Sequence, residues 1–550
     1  MTLALRGATV VDGTGSPAVR ADVLVSDGVI TEVGTLTEAA DKTIDLSGLV
    51  LAPGFIDPHT HYDAQVLWDR DLTPSSWHGV TSVVTGNCGF GVAPVSVEGR
   101  ELVMRTLENV EGMPLEALRS GIPWTFESFP QYLDAVAAEP LRCNMAVLFG
   151  HTPLRFYVLG EEATERAATA AEIEKMQQAL AAGMAAGAIG FSTSRSESHR
   201  GAYGRPVPSR LAELSEVWAL AETVAASGRG TIEATWGPDF HVEECARLAQ
   251  DIDRPVTWAA IMAIKENPAM TVDIERRVAE AGGAGSKVFP QVACRPIVVQ
   301  LTLADPAPLA NVPAFGEVLG LDHGRRAELY GDPEWRQRAY IGLREKWGSK
   351  LDESTVQETS VHMDVLDGPT LGALAAVRGG TALDVACELA LAENLTTRFR
   401  VVMVNDDEEQ VGRLLTNPSM LLGLSDAGAH TSQLCDANFS TYLLQRFVRE
   451  LGVLSLETAI WRLTDQPAQV YGLTGRGRLA PGMVADLVAF DPATVGTGPL
   501  ERVADFPGGA DRLVAPSIGI EHVWVGGHHA RIDGKDVPRA RHGRLLRGGN

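Results

Sequence analysis

The chain contains 550 residues and is acidic, with 47 Lys and Arg against 70 Asp and Glu and a formal net charge of −23. Nucleic-acid binding depends on neutralising phosphates with basic side chains, so this balance argues against a nucleic-acid partner. No apolar run approaches about 18 residues, which argues against a membrane span. The start of the chain lacks a signal-peptide pattern and the six cysteines are scattered. Both observations predict a reduced, cytoplasmic location.

Both ends of the chain are predicted to form short strands. Asp12-Gly13 and Asp27-Gly28 each separate apolar runs near the beginning, and an Asp-Gly pair in this setting is a hairpin signal. Segments 483–491 and 522–527, near the other end of the chain, have the same strand-like pattern of short apolar runs. The sequence therefore predicts one small β domain assembled from residues 1–52 and 475–550.

Between these ends, apolar segments rich in β-forming residues alternate with helical patterns such as 172–184 and 211–226. This alternation predicts an α/β protein built from parallel βαβ units, and eight such units suggest a closed (β/α)8 barrel over residues 53–474. An open doubly wound sheet is the competing architecture. The predicted strands are Leu51–Asp57, Val80–Thr85, Asn144–Phe149, Ala188–Ser192, Gly230–Glu233, Val256–Ile261, Lys287–Val292 and Met420–Ser425.

The seventh and eighth of these segments are separated by roughly 125 residues, which is too long for a simple loop. The first part of this separation, about 295–370, is rich in Pro, Trp and charged residues. We interpret it as an insertion over the mouth of the barrel. An ordinary excursion on the surface is the alternative.

Two histidines follow the first predicted strand, within residues 54–61. Residues two apart on an extended chain point to the same face, so His59 and His61 would direct both imidazoles into one space. This geometry suits a divalent metal ion. A chance pair of histidines on a strand is the alternative.

Other reactive side chains also follow predicted strands, and the carboxyl ends of barrel strands carry the catalytic groups in this architecture. Cys88 follows the second strand, His151 the third and Asp426 the eighth, while Glu233 ends the fifth. Each has a structural alternative: a small buried thiol, a helix cap, a turn residue or an ion-pair partner. Their convergence on one rim favours a metal site, since a bound divalent ion activates water and polarises a scissile carbonyl. Asp426 is the best candidate for the proton shuttle.

Basic side chains near the same rim are candidates for substrate binding. The guanidinium group is well shaped to pair with a substrate carboxylate, although ion pairs within an acidic protein are the alternative for any one arginine. Arg205 has the same two alternatives, a substrate carboxylate or an internal ion pair. The candidates are His151, Arg195, His199, Arg200 and His430.

These motifs resemble the amidohydrolase superfamily and, more narrowly, its N-acyl-D-amino-acid deacylase branch. The likeness covers nearly the whole chain, and Gly86-Asn87-Cys88-Gly89 is specific for the branch, in which this cysteine replaces a carboxylated lysine as a metal ligand. The resemblance implies a distorted barrel and a β-sandwich built from both termini. It also implies a metal held by His59, His61, Cys88 and Asp426. Its motifs occupy residues 8–15, 52–61, 86–89, 150–151, 425–426 and 475–487.

The chain departs from this family at two strands. The deacylases place a ligating histidine at the ends of the fifth and sixth strands, whereas 230–235 and 255–261 contain none. Glu233 could substitute at the fifth strand because a carboxylate is an acceptable zinc ligand, and His199 or His430 could replace a ligand or act on the substrate. We expect one or two zinc ions, with iron or manganese as alternatives.

The expected function is hydrolysis of an amide or related C–N bond in a small molecule, such as an N-acyl amino acid, by metal-activated water. Specificity for D-amino acids is not transferred to this chain. Other chemistry of the superfamily, namely deamination or hydrolysis of a cyclic amide or an ester, is one alternative. A non-catalytic relative that has lost its second metal position is another. Formation of a homo-oligomer is left open.

Overall fold

Strands from the two ends of the chain form one nine-stranded sheet in the computed structural model, which describes residues 2–37 and 39–549. Val50–Pro53 pairs with Thr2–Val10 on one side and with Leu487–Phe490 on the other, so the two ends meet inside the sheet. Leu5 and Trp524 contribute to its buried core. The strands are Thr2–Val10, Val19–Ser26, Val29–Gly34, Lys42–Asp45, Val50–Pro53, Leu487–Phe490, Ile520–Val525, His528–Ile532 and Lys535–Asp536.

Eight parallel strands form the barrel. The third strand, Asn144–Val147, continues beyond Leu148 as Phe149–Gly150 and thereby joins a three-stranded to a six-stranded sheet. The first and last strands meet where the His61 N–H donates to the Ala427 carbonyl at 2.7 Å. Each predicted segment coincides with or overlaps an observed strand, and the predicted fold class is confirmed. The other barrel strands are Phe55–Asp57, Val80–Thr85, Gly190–Ser194, Thr231–Thr235, Val256–Ile261, Val288–Val292 and Leu421–Leu422.

Short strand pairs and helices complete this part of the chain. Gly496–Thr497 pairs with Ser517–Ile518, and Glu501–Val503 pairs with Arg512–Val514. No helix among residues 2–37 and 39–549 has the length and apolar character needed to cross a membrane. The α-helices are Arg100–Glu111, Leu115–Gly121, Phe129–Ala137, His151–Leu159, Ala170–Ala186, Leu214–Ala226, Val242–Ile252, Pro268–Gly283, Glu408–Thr416, Phe439–Leu443, Leu456–Leu463 and Asp465–Tyr471.

Local sequence sets where these helices begin and end. Thr169 and Glu172 form a reciprocal capping box, in which the Thr169 hydroxyl accepts from the Glu172 N–H and the Glu172 carboxylate accepts from the Thr169 N–H. This pair starts helix Ala170–Ala186 by satisfying two backbone donors. Helix Arg100–Glu111 ends before Gly112, whose φ of 59° is the left-handed conformation that glycine adopts without strain.

A second compact unit comprises residues 263–265, which follow the sixth barrel strand, and residues 296–407, which lie in the sequence between the seventh and eighth barrel strands. The described parts of 1–262, 266–295 and 408–550 make up the first unit. The second unit has its own core, which includes Phe315 and Trp335. The segment predicted as an insertion, about 295–370, falls within this unit, which extends to Asp407.

The second unit contains a three-stranded antiparallel sheet. Its central strand, Arg398–Val404, pairs with Ile297–Thr302 and Thr355–Glu358. Helices pack over the apolar side chains of this unit. They are Pro313–Gly316, His323–Gly331, Pro333–Trp347, Leu371–Arg378 and Ala382–Ala392.

Candidate metal centre

Two imidazoles and a thiol come together at the carboxyl ends of the first two barrel strands. The rings of His59 and His61 lie 5.3 Å apart, between centroids. The His59 Nε2 is 3.4 Å from the Cys88 Sγ. One ligand atom from each of the three buried side chains lies within 4.8 Å of the others. Cys88 has a φ of 56°, a costly conformation for a non-glycine residue that clusters at functional sites.

Asp426 faces this cluster from the end of the eighth strand. Its Oδ1 is 3.2 Å from the His59 Nε2 and 3.6 Å from the His61 Nε2. Burial alone would raise the pKa of Asp426, but hydrogen bonds and charge interactions with the two imidazoles hold that pKa well below its usual range. About 25% of its side chain remains exposed. Asp426 is therefore an ionised group that can reach both imidazoles and a molecule in the cavity.

Glu233 reaches the centre from the fifth strand. Its Oε2 accepts the backbone N–H of Cys88 at 2.7 Å. Its Oε1 is buried and has no hydrogen-bond partner among the residues that the structure describes. Burial raises the pKa of Glu233 to about 7, despite the opposing influence of His59 and of the bond from Cys88. The unpartnered oxygen is available to a cation.

Three further side chains hold the first histidine and its strand in place. The Gln291 Oε1 is 2.7 Å from the His59 Nδ1, so Nδ1–H donates to this amide and the ring is oriented with Nε2 facing Cys88. The Ser425 hydroxyl lies 2.7 Å from the Asp57 Oδ2. Sequence reasoning did not select Gln291, which lies on the seventh strand with its side chain directed towards His59.

The donor set fits a zinc ion. Imidazole, thiolate and carboxylate are the ligands zinc takes in proteins, and donors bonded at 2.0–2.3 Å to one tetrahedral ion lie about 3.3–3.6 Å apart. The distances from His59 to Cys88 and from Asp426 to the two imidazoles are 3.4, 3.2 and 3.6 Å. The free Oε1 of Glu233 adds a further donor. These three distances match that spacing, and the ligand atoms of His59, His61 and Cys88 all lie within 4.8 Å of one another.

A cavity of about 420 Å³ opens onto the centre. His61, Cys88 and Asp426 form part of its lining. The described lining residues include no Lys or Arg. Much of the wall is apolar and is formed by Val110, Trp236, Pro238, Ala259, Ala260, Met262 and Leu424.

Two of the predicted substrate-binding residues, His199 and His430, line this cavity. The His199 Nδ1 lies 2.7 Å from the Ser194 Oγ, which fixes the ring. Burial lowers the pKa of His199 to about 4, so its imidazole is neutral near pH 7. His430 follows the eighth strand, and its Nε2 is 4.0 Å from Glu111 Oε2. Sequence reasoning did not select Glu111, which also lines the cavity.

The other three predicted substrate-binding residues do not line the cavity. His151 is fully buried, and its Nε2 lies 2.8 Å from the Glu216 Oε1. Arg195 pairs with Asp239 and donates to two backbone carbonyls, which occupies its guanidinium group. Arg200 is exposed and its described hydrogen bond goes to a nearby backbone carbonyl. The Arg195–Asp239 pair is the internal ion pair raised from the sequence as the alternative for that residue.

The model of the amidohydrolase family matches residues 42–287 and 336–529. The chain belongs to the amidohydrolase family. Among related amidohydrolases, the D-aminoacylase of Alcaligenes xylosoxydans xylosoxydans is 32% identical over 542 residues, with 96% of this chain and 97% of the relative covered. The N-acyl-D-aspartate deacylase of the same organism is 31% identical and covers 99% of this chain and 95% of its own.

Solved amidohydrolase structures show the same architecture over the full length. A crystal structure of D-aminoacylase has a TM-score of 0.68 at 28% identity, with 99% of each chain covered. The N-acyl-D-glutamate deacylase from Bordetella bronchiseptica has a TM-score of 0.67 at 27% identity and the same coverage. That structure contains zinc and a phosphonate inhibitor that mimics the tetrahedral intermediate.

Proposed function

We propose that this amidohydrolase is a zinc-dependent deacylase that cleaves the amide bond of a small N-acylated molecule, with Asp426 as the proton shuttle. The observation that carries the proposal is the position of the Asp426 carboxylate, within 3.2 and 3.6 Å of two buried imidazoles and partly open to the cavity. Relatives named for deacylation of D-amino acids support the reaction class.

The residues of the chain have separable roles in this proposal. His59, His61, Cys88 and Glu233 would hold the ion, which supplies a Lewis acid that activates water and polarises the amide carbonyl. Asp426 takes a proton from the attacking water and returns it to the leaving nitrogen. An ionised carboxylate that is partly exposed can perform both transfers without moving far.

The cavity favours an apolar substrate over an acidic one. Trp236, Met262 and Leu424 supply apolar surface, and Arg195 is occupied by Asp239. Two relatives are named for N-acyl-D-aspartate and N-acyl-D-glutamate, substrates whose side chains carry a second carboxylate. We infer that this chain prefers substrates with an apolar side chain.

A working compartment that keeps thiols reduced fits the six buried free cysteines, Cys88 among them.

The test is a hydrolysis screen with purified protein. The panel pairs D and L enantiomers of N-acetyl-leucine, N-acetyl-phenylalanine, N-acetyl-aspartate and N-acetyl-glutamate, and adds lactams and aminated heterocycles. We expect turnover of apolar N-acyl amino acids, loss of turnover after treatment with a chelator and recovery with zinc. The double variant His59→Ala and His61→Ala should lose its metal by elemental analysis. Turnover of the lactams or heterocycles alone would contradict the proposed deacylation and indicate a different reaction of the superfamily. Full metal content in the double variant would show that the metal site is misplaced.

A further inference from the structure

A carboxylate outside the barrel strands reaches the same centre. Glu111, the last residue of helix Arg100–Glu111, is 4% exposed. Its Oε2 is 3.5 Å from the His61 Nε2, which is also 3.6 Å from the Asp426 Oδ1. Glu111 lines the cavity together with these two residues. It therefore has the position of a ligand donor rather than of a surface acid.

The placement of Glu111 is unfavourable for the fold alone. The carboxyl end of a helix carries partial negative charge, which disfavours an acidic side chain in the last turn. Burial adds the cost of removing a carboxylate from water. Among the described residues, its ion-pair partners are the imidazoles of His61 and His430, with no Lys or Arg. A bound cation would offset these costs, and residues that conflict with local preference tend to be functional.

The backbone fixes this helix end against the last barrel strand. The His430 N–H donates to the Glu111 carbonyl at 2.6 Å. Gly112 follows with a φ of 59°, and a Cβ at this position would lie 3.1 Å from the His430 Nδ1. Glu111 is thus tied to the segment that carries Asp426, and the distance between its carboxylate and His61 is defined by the fold.

We infer that Glu111 is a direct ligand of the metal, a role that compensates in part for the histidines absent from the fifth and sixth strands. The inference rests on the proposed function, because it concerns the same ion. The 3.5 Å between Glu111 Oε2 and His61 Nε2 matches the spacing of about 3.3–3.6 Å between donors of one zinc ion. A permanent anionic ligand here leaves Asp426 free to exchange protons.

The test measures metal binding directly. Metal-free wild type, Glu111→Gln and Glu108→Gln are titrated with zinc against a chromophoric chelator, and their Co²⁺ complexes are compared by visible absorption. Glu108 lies on the same helix, is 36% exposed and is 3.7 Å from Arg105, so it controls for loss of a helix charge. We expect Glu111→Gln to raise the Kd at least about 10-fold and to change the Co²⁺ d–d bands, while Glu108→Gln matches wild type.

Each outcome decides the assignment. An unchanged Kd in Glu111→Gln overturns it. A raised Kd with a superimposable Co²⁺ spectrum also overturns it, since Glu111 would then only position His61. Should Glu111→Gln not fold, Glu111→Asp keeps the charge and withdraws the carboxylate by one methylene. A ligand role predicts weaker binding and an altered spectrum for that variant, and wild-type behaviour contradicts the role. Wild type that binds no zinc would refute the proposed function itself, before Glu111 is tested.

Discussion

Glu233 and Cys88 are joined by a single hydrogen bond from the backbone N–H of Cys88 to one carboxylate oxygen of Glu233, at 2.7 Å. The other carboxylate oxygen is buried and has no partner in the described part of the chain. One side chain thus positions the turn that carries the thiol and presents a free donor to the same centre. These two roles can be separated by substitution.

Glu233→Gln keeps an oxygen that can accept from Cys88 but removes the negative charge. We expect zinc affinity to fall at least about 10-fold, because the free donor becomes a neutral amide. Burial raises the pKa of Glu233 to about 7, above its unfolded value near 4.5, so the free energy of unfolding of metal-free protein falls as the pH rises from about 4.5 to 7. The metal-free variant should show a smaller fall, which denaturant titrations at pH 5 and 8 measure. Wild-type zinc affinity would remove Glu233 from the ligand set.

Asp426→Asn keeps the size of the side chain and an oxygen donor but cannot accept a proton. We expect metal content close to wild type and a fall in kcat of about 10²- to 10⁴-fold, the range of general acid–base assistance. Elemental analysis and steady-state kinetics on the best substrate check both. Near-normal turnover would contradict the shuttle role. Loss of metal together with activity would make Asp426 a ligand and leave the base to another group, with Glu233 and His430 the next candidates.

Gln291→Met keeps the volume of the side chain and removes the acceptor that lies 2.7 Å from the His59 Nδ1. The imidazole then loses the bond that sets its tautomer and orientation, and such changes cost about 10- to 100-fold in metal affinity. Gln291→Glu keeps an acceptor and serves as the matched control, with affinity expected near wild type. Competition against a chelator measures both variants. Equal affinity in Gln291→Met and wild type would show that packing alone orients His59.

His78 provides a pH test outside the metal centre. Its Nε2 donates to the Ala515 carbonyl at 2.9 Å, and burial lowers its pKa from 6.5 to about 3. Between these values the unfolded chain binds more protons, so the free energy of unfolding should fall as the pH drops below 6.5, by up to about 1.4 kcal/mol per pH unit. Denaturant titrations at pH 7 and 5 measure the slope, and His78→Gln should reduce it. An unchanged slope in the variant would assign the pH dependence to other groups.

The barrel could be predicted from sequence because each of its strands is a short apolar run between turn signals. Val80–Thr85 and Val256–Ile261 were predicted at the bounds that the structure shows. Strand ends were less accurate: the fourth strand extends to Ser194 and the fifth to Thr235, past the predicted ends. Polar residues there face the cavity or neighbouring strands, so tertiary contacts extend the strand beyond the apolar run.

The candidate centre was only partly accessible to sequence reasoning. His59 and His61 follow from spacing on one strand, whereas Glu111 ends a helix and approaches His61 across 50 positions of sequence. No periodicity encodes such a distance. Arg195 shows the opposite case. Its position after the predicted fourth strand suggested that it binds substrate, but in the folded chain its guanidinium group forms an ion pair with Asp239. The ion-pair partner of a charged side chain depends on tertiary packing, which the local sequence does not show.

The pairing of Val50–Pro53 with Leu487–Phe490 has a consequence for biosynthesis. Translation proceeds from the amino terminus, so the first strands leave the ribosome long before their partner exists. Asp426 is also separated from His59 by most of the chain. Long-range pairing of this kind slows folding and exposes unpaired edges in the interval. The nascent chain must therefore remain in a partly folded state, with Asp426 not yet beside the imidazoles and the terminal sheet unpaired, until Leu487–Phe490 has been synthesised.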